Sequence, residues 1–112
     1  MNDVMVRASE LLPGLRNYLD ITWEEPQEDV KLSGIILTGM AYMQRLTSRG
    51  LDFEEGTAER ALLFDYCRYR RAGALDSFYT DYQVELLTFR MDEAVKEAAA
   101  GPGDVDGGEN GG

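Results

Sequence analysis

The sequence predicts an all-α protein: a small bundle of about four helices with a flexible, acidic, glycine-rich C-terminal tail. Three observations carry that prediction. Apolar residues recur at spacings of three and four through most of the chain, as on the buried side of an amphipathic helix. The stretches between them hold helix punctuation, with Pro13 and Pro26 placed to open helices and Gly50 and Gly73 placed to close them. Beyond Gly101 the chain becomes glycine and acid with Val105 its one aliphatic residue besides Pro102, too little apolar surface to order itself.

The first helix is expected from about Ala8 to Leu19, with Leu11, Leu12, Leu15, Tyr18 and Leu19 on its apolar side. Pro13-Gly14 is expected to split it, Pro13 opening the second piece. Ile21-Thr22-Trp23 leads into an acidic turn containing Glu24 and Glu25, and Pro26 suits the first position of the next helix. That second helix, about Gln27 to Ser48, is the longest, with Val30, Leu32, Ile35, Ile36, Gly39, Met40, Met43 and Leu46 at helical period. Gly34 and Gly39 each cost about 1 kcal/mol relative to alanine, which close approach of another helix explains.

Gly50 ends the second helix, and Leu51 and Phe53 are expected to fold back onto the core from the following loop. Thr57 is suited to cap the third helix. Glu59 then stands at the positive end of the helix dipole, Arg68, Arg70 and Arg71 stand at the negative end, and Gly73 is the stop. Ala58, Ala61, Leu62, Asp65, Tyr66 and Tyr69 share one side, and Leu63, Phe64 and Cys67 widen the apolar arc. An arc that wide predicts burial on more than one side, within a bundle or between subunits. A fourth helix, capped by Asp76 or Ser77, is expected to run unbroken to the alanines at 98–100, with apolar residues on more than one stripe. The domain assignment is therefore 1–100 helical and 101–112 tail.

Composition narrows the function. A chain of 112 residues makes one domain, and 44% hydrophobic residues is ordinary for a globular protein. No apolar run approaches the roughly 20 residues that span a bilayer, so no membrane partner is expected, and the opening Met-Asn-Asp-Val-Met has no signal-peptide pattern. Cys67 stands alone and is expected to be a buried small hydrophobe in a reducing compartment. The chain has no histidine, which removes the commonest general base and transition-metal ligand together. With no phosphate loop, calcium loop or recognisable carboxylate pair either, the expectation is a protein that is not an enzyme and uses no cofactor or metal.

The net charge is −10, from 21 acids and 11 bases, which opposes binding nucleic acid by phosphate neutralisation. Asp20, Glu24, Glu25, Glu28 and Asp29 form one acidic block; Asp52, Glu54, Glu55 and Glu59 form another. Helix-dipole complementarity accounts for most of this pattern, and complementarity between copies or partners adds to it. Six tyrosines, a tryptophan and five methionines exceed what a core of this size must hide, and such residues are favoured where proteins meet.

The opening Leu11-Leu-Pro-Gly-Leu-Arg-Asn-Tyr-Leu-Asp-Ile21, the acidic turn, the long helix and the segment Ala61-Leu-Leu-Phe-Asp-Tyr-Cys-Arg-Tyr-Arg70 together resemble the head-to-tail connector proteins of long-tailed bacteriophages and prophages, also called head-completion or adaptor proteins. The resemblance covers about residues 8–95 and leaves the glycine-rich end outside it. It implies a structural virion protein, assembled in the host cytoplasm, that forms a ring, typically of twelve subunits, beneath the portal protein. Such a ring extends the channel through which DNA passes without specific binding, and it offers a platform to the next tail-proximal connector or stopper protein. The residues expected at subunit or portal interfaces are Trp23, Glu24, Glu25, Arg68, Arg70, Arg71, Tyr79 and Tyr82, with the arginines pairing across subunits to Asp20, Glu24, Glu25 or Glu28. The alternative reading is a small acidic helical regulator or DNA mimic that binds one protein partner.

Overall fold

Residues 3–100 are described in the structure, a computed structural model, and among them the only regular elements are helices. These are α1 (Asp3–Tyr18), α2 (Pro26–Gln44), α3 (Ala58–Arg71), α4 (Leu75–Asp81) and α5 (Gln83–Ala100). The expected tail lies outside the described residues.

The helix starts and stops follow local chemistry in α2 and α3. Pro26 opens α2, with Glu25 in extended conformation before it. The Thr57 hydroxyl accepts from the Arg60 amide at 3.2 Å and caps α3. Gly73, at φ 72°, ends α3: its amide donates to the Arg70 carbonyl and the Ala74 amide donates to that of Tyr69. Asp20 plays the same part after α1 at φ 61°, with its amide on Asn17 and the Ile21 amide on Arg16.

Five features of the helix boundaries differ from the sequence expectation. α1 begins at Asp3 and passes Pro13 without a break. Pro13 and Ser9 are both exposed, so the carbonyl that proline leaves without its helical partner is on the solvent side, while Ala8, Leu11 and Leu15 are buried and hold the helix together. α2 stops at Gln44 because that side chain turns to the loop, donating to the Arg49 carbonyl at 2.6 Å and accepting from the Leu51 amide at 3.1 Å. Neither Asp76 nor Ser77 caps α4; Ala74 precedes its first turn with no side-chain cap. The expected fourth helix is two helices, parted at Tyr82, where φ −106° and ψ 18° leave helical geometry. The Tyr82 ring is stacked on Phe78 at 4.8 Å and set edge-on to Tyr69, so side-chain anchoring decides the bend.

α2 lies between α1 and α3, α4 follows beside α3, and α5 returns against α4 and α3. Leu11, Leu15, Leu32, Ile36, Met43, Leu63, Tyr66 and Phe78 form the centre of the core, with Phe53 folded into it from the loop. Gly39 makes the α2–α3 approach possible: a β-carbon there would stand 2.6 Å from Leu63 Cδ1 and 2.9 Å from Tyr66 Cδ1. Gly34 has no such neighbour within 4 Å. The result is a plate, 56 × 35 × 19 Å, about two helices thick.

Candidate assembly surface

The basic end of α3 and the acidic start of α2 come together within one chain. Arg71 Nε donates to Glu28 at 2.9 Å, which corrects the expectation that Glu28 serves a neighbouring subunit. At the next residue of α2, Asp29, Arg16 reaches across from α1 to its carboxylate at 2.6 Å and also donates to the Trp23 carbonyl, fixing the turn that carries Trp23, Glu24 and Glu25. Among the described residues no ion pair joins Glu24 or Glu25 to the basic cluster. Both carboxylates are exposed, as is Trp23 at 52%.

Arg68 and Arg70 have different surroundings. Arg68 lies over the rings of Tyr69, at 5.2 Å, and Tyr18, at 6.0 Å, with Asp65 3.9 Å away. Arg70 donates to the Tyr66 hydroxyl at 3.4 Å, the polar outlet of a ring that is otherwise fully buried. The Tyr18 hydroxyl donates to Asp65, and Tyr69 donates to Asp81 at 2.9 Å. Burial and the nearby Asp65 carboxylate push the Tyr82 phenol up to about 12, so it stays neutral and a hydrogen-bond donor at physiological pH.

Tyr79 and Tyr82 belong to an aromatic cluster. Tyr42 stacks on Tyr66 at 5.6 Å, Tyr66 meets Phe78 edge-on at 5.6 Å, and Tyr79 tilts against Tyr42 at 5.6 Å. These rings fasten α4 to α2 and α3. Tyr82 is half-buried, whereas one side of Tyr79 faces solvent.

A polar anchor that the sequence reading missed fixes α5. Glu93 is 1% exposed and accepts from Arg49 Nε at 2.6 Å and Nη2 at 3.2 Å, with Lys96 at 3.2 Å. The Arg49 hydrogen bond holds its carboxyl below the ordinary carboxylate range although burial pushes it upward, and Lys96 adds to the lowering. One turn on, Glu97 accepts from the Thr47 hydroxyl at 2.7 Å and the Ser48 amide at 3.0 Å, which likewise lowers its pKa. Arg49 and Glu93 are 44 residues apart, and neither stands in a local pattern that marks a partner.

Cys67 is fully buried and its thiol is pushed up to about 12 by desolvation, so it packs rather than reacts. A groove of about 510 Å³ between α3 and α5 has Ala61, Leu62 and Phe89 among its walls and carries Asp65, Glu85 and Asp92. No group of three or more Cys, Asp or Glu side chains suited to hold a metal ion occurs among the described residues. No helix among them is long and apolar enough to cross a membrane. No family model, curated protein or solved structure matches the chain.

Proposed function

We propose that this chain is a structural assembly protein, a subunit of a head-to-tail connector ring that joins a capsid portal to a tail and extends the DNA channel. The observation that carries this reading is apolar surface left uncovered on separate parts of a thin plate: Trp23 before α2, Val30 on α2, and Val84, Leu87, Met91 and Val95 on α5. A ring subunit has neighbours on two sides and needs that kind of surface on both. The two segments that carry the resemblance also fold side by side, with Tyr18 against Phe64 at 5.7 Å and hydrogen-bonded to Asp65. The net charge of −10 suits a channel in which DNA slides without being held.

A DNA mimic fits less well. Glu28, Asp29, Glu54 and Glu93 are engaged by arginines of their own chain and are not free to imitate phosphates. Sedimentation velocity and electron microscopy on the purified protein, alone and mixed with the portal protein encoded beside it, test the proposal. A ring-shaped complex on the portal supports it; a chain that ignores an intact portal overturns it.

A further inference from the structure

We infer that the turn carrying Trp23, Glu24 and Glu25 in one copy seats on a basic, aromatic patch of the next copy, made by Tyr42 and Arg45 at the end of α2, Tyr79 of α4 and Arg90 of α5. The inference rests on the ring reading and names the surfaces through which copies meet.

The patch joins three helices. Tyr79 tilts against Tyr42 at 5.6 Å and is 40% exposed, and the Arg45 guanidinium lies over the Tyr42 ring at 5.9 Å. Arg90 acts on the same ring from α5: burial, helped by the Tyr79 and Tyr66 phenols, raises the Tyr42 pKa, and the charges of Arg45 and Arg90 oppose the rise. Both arginines are exposed, and neither forms an ion pair among the described residues. Arg71, by contrast, is held by Glu28, and Arg68 has Asp65 3.9 Å away. In a chain with 21 acids and 11 bases, two cations kept clear of carboxylates beside exposed rings are a site for an anionic, aromatic partner.

The turn before α2 has that chemistry. Trp23 is 52% exposed, and the Glu24 and Glu25 carboxylates beside it are exposed, with no ion pair among the described residues. Arg16 already fixes the turn through the Trp23 carbonyl and Asp29, so docking orders little that is not ordered beforehand. Tryptophan, tyrosine and arginine are the side chains that dominate binding energy where proteins meet, and here the indole answers the two phenol rings while the carboxylates answer the two guanidinium groups. The turn and the patch cannot meet within one chain. Glu25 precedes the 19-residue α2 and Arg45 follows it, which sets them about 30 Å apart along the helix. Both halves of the match are in this one sequence, which identifies the occupant as a second copy. Because turn and patch differ, the contact is heterologous, the kind from which rings close.

Sedimentation velocity over a concentration series, without and with the portal protein, tests the inference. Trp23→Ala with Glu24→Arg disables the turn, and Arg45→Glu with Arg90→Glu disables the patch. Each double variant is expected to weaken self-association by about tenfold or more while keeping the circular dichroism of the wild type. Mixed together, the two are expected to form a one-to-one pair and nothing larger, because the first keeps a sound patch and the second a sound turn. Variants that fail to pair on mixing overturn the inference. Rings that form on the portal and are indifferent to both double variants overturn it and leave the connector reading standing. The one-to-one pair, from a chain whose wild type self-associates and ignores the portal, supports the inference and overturns the connector reading. A patch variant that self-associates normally but loses binding to a short DNA duplex at low salt assigns Arg45 and Arg90 to phosphates and overturns the inference. A wild-type chain that stays monomeric in both settings overturns both.

Discussion

Gly34 and Gly39 look alike in the sequence and differ in what surrounds them. Alanine at 34 meets nothing within 4 Å, so Gly34→Ala is expected to raise stability by about 0.5–1 kcal/mol through helix propensity alone. Alanine at 39 stands 2.9 Å from the buried Tyr66 ring, and Gly39→Ala is expected to lower stability by about 1 kcal/mol or more despite the same propensity gain. Urea denaturation of the two variants reads the opposite signs. Arg49→Ala leaves Glu93, 1% exposed, with Lys96 as its remaining charged partner, and is expected to cost about 2 kcal/mol in the same assay. Alternation and spacing exposed the first pair as a question; no local signal announced the second, because an ion pair across 44 residues exists only once the helices are in place.

At the scale of the element, α5 is held by carboxylates in its C-terminal half. Glu93 and Glu97 both have folded pKa values below the ordinary value of about 4.3, so the stability they contribute is fully present above that value and is lost as pH falls through the folded one. The wild type is therefore expected to lose more stability between pH 5 and pH 3 than Glu93→Gln, whose amide does not titrate. Urea midpoints followed by circular dichroism at stepped pH check this, and equal losses would refute it. The start of α2 and both ends of α3 were legible in Pro26, Thr57 and Gly73 because capping and stopping are local chemistry. The division at Tyr82 was not, since the rings that anchor it, Phe78 and Tyr69, belong to two different helices.

For the whole molecule, the basic end of α3 is a joint as well as a surface. Arg71 binds Glu28 across α3 and α2, so Arg71→Glu is expected to lower monomer stability by about 1 kcal/mol. The pair Arg68→Glu and Arg70→Glu breaks no ion pair to another helix and is expected to keep monomer helicity while impairing ring or portal assembly. Thermal melts beside sedimentation velocity separate the two effects. Normal assembly by the double variant would remove these arginines from the interface.

Periodicity and end signals by themselves determined that this is a helical protein, where its second and third helices begin, and that its aromatic and apolar residues exceed the needs of one core. Those are properties of a few consecutive residues, set by helical repeat and backbone hydrogen bonding. The tertiary structure decided that Pro13 does not break α1, that the expected last helix is two, that Glu28 answers Arg71 within the chain, and which apolar stripe of α5 is covered and which is left outside. Each of these depends on side chains distant in sequence reaching the same place, and a periodic pattern records that a face is apolar without recording what lies against it.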